Sequence, residues 1–177
     1  MAHHPRFAFD GQALVDAVLA SCTNRDSTIH GIHHWQCVAW TGRALAREVP
    51  DADASVVLLF AIFHDSMRWD DGYDPEHGRR AGAFMRTFAG TYFDLEPPRL
   101  ELLQEACDGH VDGRLAENPT VGVCWDADRL NLWRVGIEPN PKYLSTAPAR
   151  GKPQIRTARA LQKRVFRWKD IFDAYRG

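Results

Sequence analysis

The chain has 177 residues, 45% of them hydrophobic and 25% charged, which is enough to fold as one domain around a sizeable core. Its formal net charge of -1 gives no electrostatic reason to expect a nucleic-acid or membrane partner. The longest apolar run, residues 56–63, is too short to cross a bilayer, and the N-terminal residues contain no apolar signal segment. Four cysteines without paired spacing predict reduced, buried thiols, so a cytoplasmic location is expected.

Capping and turn residues divide the first part of the chain into three helices, and no segment shows the alternation of a strand. Asp10 is a suitable N-cap for a first helix that ends at about residue 22. A second helix is predicted over about 29–48, before Pro50. The third begins at about residues 51–54 and carries the apolar run to residue 65.

Proline residues that follow a capping residue mark the next helices. Asp74-Pro75 predicts a helix to about residue 89, Pro97-Pro98 one to about 110, and Asn118-Pro119 one to about 133. Residues 138–153 are rich in proline and glycine and are predicted to be mainly loop.

One long final helix is predicted over residues 154–175, packed on the rest of the chain, because apolar residues recur there at intervals of three and four. These residues are Ile155, Ala158, Leu161, Val165, Trp168 and Phe172. The sequence therefore predicts an all-α protein, a single helical domain over residues 1–177 with about seven helices.

A histidine–aspartate doublet, His64-Asp65, stands at the end of the apolar run 56–63. Polar side chains at the inner end of an apolar helix cost free energy unless a partner satisfies them. Imidazole and carboxylate groups are the ligands of divalent cations such as Zn, Mn, Fe and Mg. A bound metal would therefore satisfy the doublet.

Five of the predicted helices direct a potential metal ligand toward their apolar side, because residues three, four and seven apart share a helix face. These ligands are His34, His64, His77, His110 and Asp128. A single histidine on an apolar face is more often a hydrogen-bonded core residue than a ligand, and Asp128 alone is explained as a salt-bridge partner. One shared site explains these five residues more simply than five independent structural roles do, so the sequence favours a metal centre.

The ordered pattern H…HD…D resembles the HD-domain superfamily of metal-dependent phosphohydrolases. The matching residues are His34 in His-Trp-Gln-Cys-Val, the doublet His64-Asp65, and Asp128 in Asp-Ala-Asp-Arg-Leu. Segments 29–35, 74–81 and 125–130 also resemble small bacterial HD proteins without an assigned substrate. The resemblance covers about residues 29–146. An HD dipeptide alone is weak evidence, whereas the ordered set is specific.

The resemblance implies an all-α fold that holds one divalent metal. Its implied ligands are His34, His64, Asp65 and Asp128. Asp128 is preferred to Asp126 because the ligand of the family precedes an Arg-Leu pair, and His34 is preferred to His33 for its spacing to Val38. The ion stays open among Mn, Fe, Ni, Co, Zn and Mg, since a His/Asp set suits several of them.

Some HD proteins carry two further histidines and hold two metals, which the doublet aspartate bridges. His77 and His110 resemble those additional positions. Two interpretations stay open: these histidines bind a second metal, or they stay free of metal and bind substrate phosphate or transfer protons.

The chemistry implied by the resemblance is attack of a metal-activated water on a small phosphoester, with a nucleotide as the expected substrate. Asp65 is a candidate to orient the water and His110 a candidate proton carrier. Arg68, one turn beyond the doublet, and Arg129 are candidates to bind phosphate. Trp69 lies in the following loop, where a substrate base or sugar can pack.

Two other functions stay open at this point. The six-ligand HD set also supports oxidative chemistry in relatives of myo-inositol oxygenase, so a di-iron oxygenase is one alternative. A metal- or nucleotide-binding module without catalytic activity is another. The chain has no glycine-rich phosphate loop, so the sequence specifies neither the substrate nor the oligomeric state.

Overall fold

The computed structural model describes residues 9–177, and over this range the chain forms α-helices and no strand. The helices are α1 (Gly11–Ser21), α2 (Ile32–Ala46), α3 (Ala54–Phe63), α4 (His77–Arg86), α5 (Pro97–Gly109), α6 (Pro119–Leu130), α7 (Lys152–Leu161) and α8 (Trp168–Arg176). Two short 3-10 helices, Asn131–Val135 and Pro141–Tyr143, follow α6. The predicted all-α class is confirmed for the described residues. The first eight residues, which contributed to the expected location, lie outside them.

Several helices begin at the predicted capping residues. Asp10 accepts hydrogen bonds from two backbone N–H groups of α1, and Asn118 does the same for α6. The predicted cap at Asp74 is wrong, because α4 begins at His77. The Asp74 carboxylate instead accepts a hydrogen bond from Trp69 N at 3.0 Å and pairs with Arg80. Asp74 therefore fixes the loop before α4.

Helix α3 lies at the centre of the fold and is buried on all sides. Residues 56–63 have no exposed surface, and α3 packs against α2, α5 and α6. A helix that is apolar around its whole circumference is stable only in such an interior position. The same burial carries the doublet that follows α3 into the interior of the protein.

The single final helix predicted over 154–175 is wrong, because α7 ends at Leu161 and α8 begins at Trp168. Val165, predicted to face the core, is 95% exposed. The intervening segment is held against α2: His33 Nε2 donates to the carbonyl of Arg164 at 2.8 Å, and Phe166 packs beside Trp40. These tertiary contacts replace the helical hydrogen bonds that the spacing predicted.

The four cysteines are free thiols, and Cys37, Cys107 and Cys124 are buried. Burial raises the pKa of Cys37 to about 12, so this thiol is protonated and unreactive at neutral pH. Among the described residues, no helix combines the length and the apolar character that a membrane span requires.

Candidate metal centre

Six ionisable side chains from five helices meet where α3 ends. They are His34 on α2, His64 and Asp65 after α3, His77 at the start of α4, His110 after α5, and Asp128 on α6. Five of the six residues are buried, and the side chain of Asp128 is 14% exposed. The helical phasing predicted this convergence, and the structure brings all six together.

The first group of contacts joins α2, the doublet and α6. The Nε2 atoms of His34 and His64 are 3.1 Å apart, and His34 Nε2 lies 3.1 Å from Asp128 Oδ1. Asp65 Oδ2 lies 3.5 Å from His34 Nε2 and 3.6 Å from His64 Nε2. We call this set, His34, His64, Asp65 and Asp128, the first cluster.

The second group of contacts uses the other oxygen of the same aspartate. Asp65 Oδ1 lies 3.0 Å from His77 Nε2 and 3.7 Å from His110 Nε2. The two Nε2 atoms are 2.9 Å apart. We call Asp65, His77 and His110 the second cluster. The Asp65 carboxylate therefore stands between two histidine pairs and presents one oxygen to each.

Backbone carbonyls orient three of the four histidines. His77 Nδ1 donates to the carbonyl of Asp74 at 2.5 Å, and His110 Nδ1 donates to that of Cys107 at 2.7 Å. His64 Nδ1 lies 3.2 Å from the carbonyl of Phe60. Because neutral imidazole carries one proton, donation from Nδ1 leaves the lone pair on Nε2. The three Nε2 atoms lie 3.0–3.7 Å from an oxygen of Asp65, and the tautomer with an unprotonated Nε2 is the one that a metal ligand needs.

Burial sets the protonation of the first cluster. It lowers the pKa of His34 to about 4, assisted by the Arg134 guanidinium, and the pKa of His64 to about 3. Burial opposes ionisation of Asp65 and Asp128, but their histidine neighbours, and Arg134 beside Asp128, lower the pKa of both carboxyl groups. At neutral pH the cluster therefore presents neutral imidazoles and ionised carboxylates, the forms that bind a metal.

The second cluster differs, because the pKa of His110 is raised: burial lowers it, but the Asp65 carboxylate outweighs burial. His110 therefore holds its proton more strongly than an ordinary histidine. A proton or a cation must lie between the two imidazoles, since facing lone pairs 2.9 Å apart repel each other.

The donor set fits a divalent metal ion. Asp128 Oδ1 is buried, and no donor reaches it in hydrogen-bond geometry. Its nearest guanidinium, that of Arg134, is 3.7 Å away. A buried ionised oxygen that accepts no hydrogen bond is costly, and a metal ion at this position removes that cost. Two groups of buried side chains have ligand atoms that all lie within 4.8 Å of one another: His34, His64 and Asp65, and Asp65, His77 and His110. Asp128 Oδ1 adjoins the first group, 3.1 Å from His34 Nε2, so the described residues can coordinate a metal.

Two arginines border the centre, Arg68 beside Asp65 and Arg134 beside Asp128. Arg68 Nη1 lies 3.7 Å from Asp65 Oδ1 and 3.1 Å from His77 Nδ1. Its other donors are fixed, since Nη2 donates to the carbonyl of Gly72 at 2.7 Å and Nε to that of Asp70 at 3.2 Å. Arg68, which the sequence proposed as a phosphate ligand, therefore lies at the second cluster.

Arg134 and His30 are site residues that sequence reasoning missed. His30 Nδ1 donates to Asp65 Oδ2 at 2.9 Å. Arg134 Nη1 lies 3.7 Å from Asp128 Oδ1, and Nε donates to the carbonyl of Ile29 at 2.8 Å. His30 stands four positions before His34, which was a usable signal. Arg134 belongs to a 3-10 helix and gave no periodic signal.

Three residues considered from the sequence have other partners. Arg129 donates to the carbonyls of Arg114 and Tyr143 at 2.8 Å each, so its guanidinium serves the backbone rather than the cluster. His33 is exposed and bonds to the segment after α7. Asp126 accepts from Ser145 N and Thr146 N at 2.6 and 2.7 Å and holds the loop before α7. The structure thus places His34 and Asp128, rather than His33 and Asp126, in the first cluster.

No family model, curated protein or solved structure matches the chain. The likeness to HD-domain proteins therefore rests on the ordered motif and on the buried His/Asp cluster. The cluster is compatible with that family and can hold a metal, and it does not by itself assign an activity.

Proposed function

We propose that the chain is a metal-dependent phosphohydrolase of the HD type that binds two divalent ions and acts on a small phosphoester. The observation that carries the proposal is the position of Asp65, whose two oxygens face separate histidine pairs. His34, His64 and Asp128 would complete the set for one ion. His77 and His110 would complete the set for the other. Bound ions supply a water of lowered pKa and neutralise charge that develops on phosphorus.

The charge balance of the site supports an anionic substrate. Among the described residues, two carboxylates and two guanidinium groups contact the histidines of the clusters or each other. The charges of these four groups cancel, so each divalent ion adds two positive charges that the four groups do not offset. A phosphate group supplies that charge, whereas a neutral substrate, such as a polyol for a di-iron oxygenase, does not.

Arg68 is the residue that we assign to phosphate binding. Its side chain is 8% exposed and is held by two backbone carbonyls, so little conformational entropy is lost when it binds an oxyanion. Nη1 is directed to the second cluster, beside His77. A guanidinium at this position binds a phosphate oxygen by a charge-assisted hydrogen bond.

Asp65 and His30 have an orienting role in this proposal. His30 donates to Asp65 Oδ2, which fixes the plane of the carboxylate between the two clusters. Asp65 is thereby held ready to accept a hydrogen bond from the attacking water.

A screen of phosphatase and phosphodiesterase activity on metal-loaded protein tests the proposal. Mn, Co, Ni, Mg and Fe are each supplied to the purified chain, with nucleotides and small phosphate esters as substrates. Asp65→Asn should abolish hydrolysis, because it removes the shared charge while it preserves the shape of the side chain. His33→Ala should retain hydrolysis, because the imidazole of His33 bonds to the carbonyl of Arg164 rather than to the cluster.

Three outcomes contradict the proposal. Loaded protein that hydrolyses no phosphoester in the panel excludes the activity as stated. Two irons per chain together with oxygen consumption assign the centre to an oxygenase. Tight nucleotide binding without turnover, unchanged by Asp65→Asn, assigns the chain to a binding module.

A further inference from the structure

Trp69 is a large aromatic side chain held at the surface by specific contacts. Trp69 is 72% exposed, yet the guanidinium carbon of Arg80 lies 3.9 Å from the centroid of the indole ring. Arg80 is itself fixed, since it donates to the carbonyl of Met67 at 3.1 Å and pairs with Asp74. Trp69 N also donates to Asp74 Oδ2 at 3.0 Å. One side of the indole is thus covered by a cation, and most of the rest faces solvent.

The loop that carries Trp69 is attached to the second cluster at both ends. Arg80 follows His77 by three residues on α4, and side chains at this interval are neighbours on one helix face, about 5–6 Å apart at Cβ. At the other end, Arg68 lies beside His77 and donates to the carbonyls of Asp70 and Gly72. Trp69 directly follows Arg68, the residue in contact with His77, and its indole packs on Arg80 of the helix that begins at His77.

We propose that Trp69 is a stacking platform for a planar aromatic group of the substrate, which assigns the substrate to the nucleotides. The placement of the substrate phosphate beside Arg68 rests on the proposed function. A phosphate bound beside Arg68 would place the remainder of a nucleotide within reach of the indole. Every nucleobase has a π-face, so a stacking contact selects for a base without selecting which one.

Fixed geometry favours a small planar ligand on this ring. The Arg80 contact holds the indole in one orientation before binding, so the ring need not be ordered when the ligand arrives. Tyr73 lies on the same loop and is 93% exposed, and none of the cation–π contacts of residues 9–177 involves its ring. Trp69 is therefore the supported aromatic of the loop, and Tyr73 is a natural control.

Paired substrates test the platform by activity. Adenosine monophosphate and glycerol phosphate present the same phosphate with and without a base. Trp69→Ala should raise KM for adenosine monophosphate about tenfold, as expected for loss of one base–aromatic stack, and should leave KM for glycerol phosphate unchanged. Trp69→Phe should restore most of the loss, and Tyr73→Ala should change neither value. A rise in KM for both substrates would show a general effect of the loop and would overturn the inference.

A binding measurement separates this inference from the proposed activity. An adenosine phosphonate that cannot be hydrolysed is titrated against the metal-loaded protein by tryptophan fluorescence and calorimetry, with methylphosphonate as the control without a base. The adenosine compound should quench the fluorescence of the wild type, and Trp69→Phe should lose most of that signal. Binding that depends on Trp69 without phosphoester hydrolysis would contradict the activity and support the platform. Equal affinity of the wild type and Trp69→Ala would contradict the platform, whatever the activity.

Discussion

The adjacent residues His33 and His34 provide a matched test of metal binding. His34 Nε2 lies within 3.5 Å of atoms of His64, Asp65 and Asp128, whereas His33 bonds to a backbone carbonyl at the surface. Divalent metal should therefore stabilise wild-type protein and His33→Ala. His34→Ala should lose most of the stabilisation by an ion in the first cluster and keep the stabilisation by an ion in the second cluster.

The expected magnitude follows from binding linkage. At a metal concentration about 100 times Kd, one bound ion adds about 2.7 kcal/mol to the free energy of unfolding. For a chain of this size, 1 kcal/mol shifts Tm by about 2–4 °C, so each bound ion should add about 5–10 °C, and the wild type with two ions should gain about twice that. If loss of His34 weakens binding of the first-cluster ion about 100-fold, that ion adds only about 0.4 kcal/mol at the same concentration, and its part of the shift falls to about 1 °C.

Thermal unfolding followed by circular dichroism measures these shifts, first with a chelator and then with Mn²⁺. Each variant is compared with its own metal-free Tm, which removes any effect of the substitution on the apoprotein. Equal metal-induced shifts in His33→Ala and His34→Ala would refute the assignment of His34. Absence of a shift in the wild type would refute the metal centre at this concentration.

Three further predictions concern the second cluster, the phosphate contact and the acid stability of the fold. His77→Ala and His110→Ala should each bind one ion where the wild type binds two, measured by elemental analysis; two ions in either variant would contradict the shared carboxylate of the second cluster. Arg68→Gln should lower kcat/KM for a phosphoester by about 10- to 100-fold, the value of a charge-assisted hydrogen bond of about 1.5–3 kcal/mol, and a change below twofold would assign Arg68 to loop structure alone. Burial raises the pKa of the Asp53 carboxyl group, but hydrogen bonds from Arg99 outweigh burial and bring the pKa below its usual value of 3.8. The ion pair of Asp53 and Arg99 therefore stabilises the fold above pH 3.8, and this stabilisation is lost as the pH falls through the pKa of the folded state. Urea unfolding should therefore show Arg99→Met less stable than the wild type at neutral pH, with a difference that shrinks below pH 3.8; a difference independent of pH would contradict the electrostatic account.

The sequence predicted the helical class and the convergence of the cluster because both depend on local information. Caps such as Asp10 and Asn118 act on their own first turn, and the phase of His34 or Asp128 depends only on apolar neighbours of the same helix. The structure then brings these phased residues to the end of α3, which is buried on every side. Periodicity gives the direction of a side chain whenever its segment is helical.

Features that depend on contacts between distant segments could not be read in this way. The break between α7 and α8 follows from contacts with α2, so the regular spacing through Val165 was misleading. Arg129 neighbours Asp128 in sequence, but consecutive residues of a helix diverge by about 100°, and Arg129 serves a different loop. Arg134 reaches the cluster from a 3-10 helix, where no periodic pattern marks an inward direction.

Anomalous diffraction from crystals grown with Mn²⁺ tests most directly whether the buried cluster is a metal centre. The predicted map has one peak in each cluster, on opposite sides of the Asp65 carboxylate. The first peak should contact His34, His64, Asp65 and Asp128, and the second Asp65, His77 and His110. Ordered side chains with no anomalous peak among them would contradict the metal centre, and a single peak in the first cluster would contradict the two-ion site.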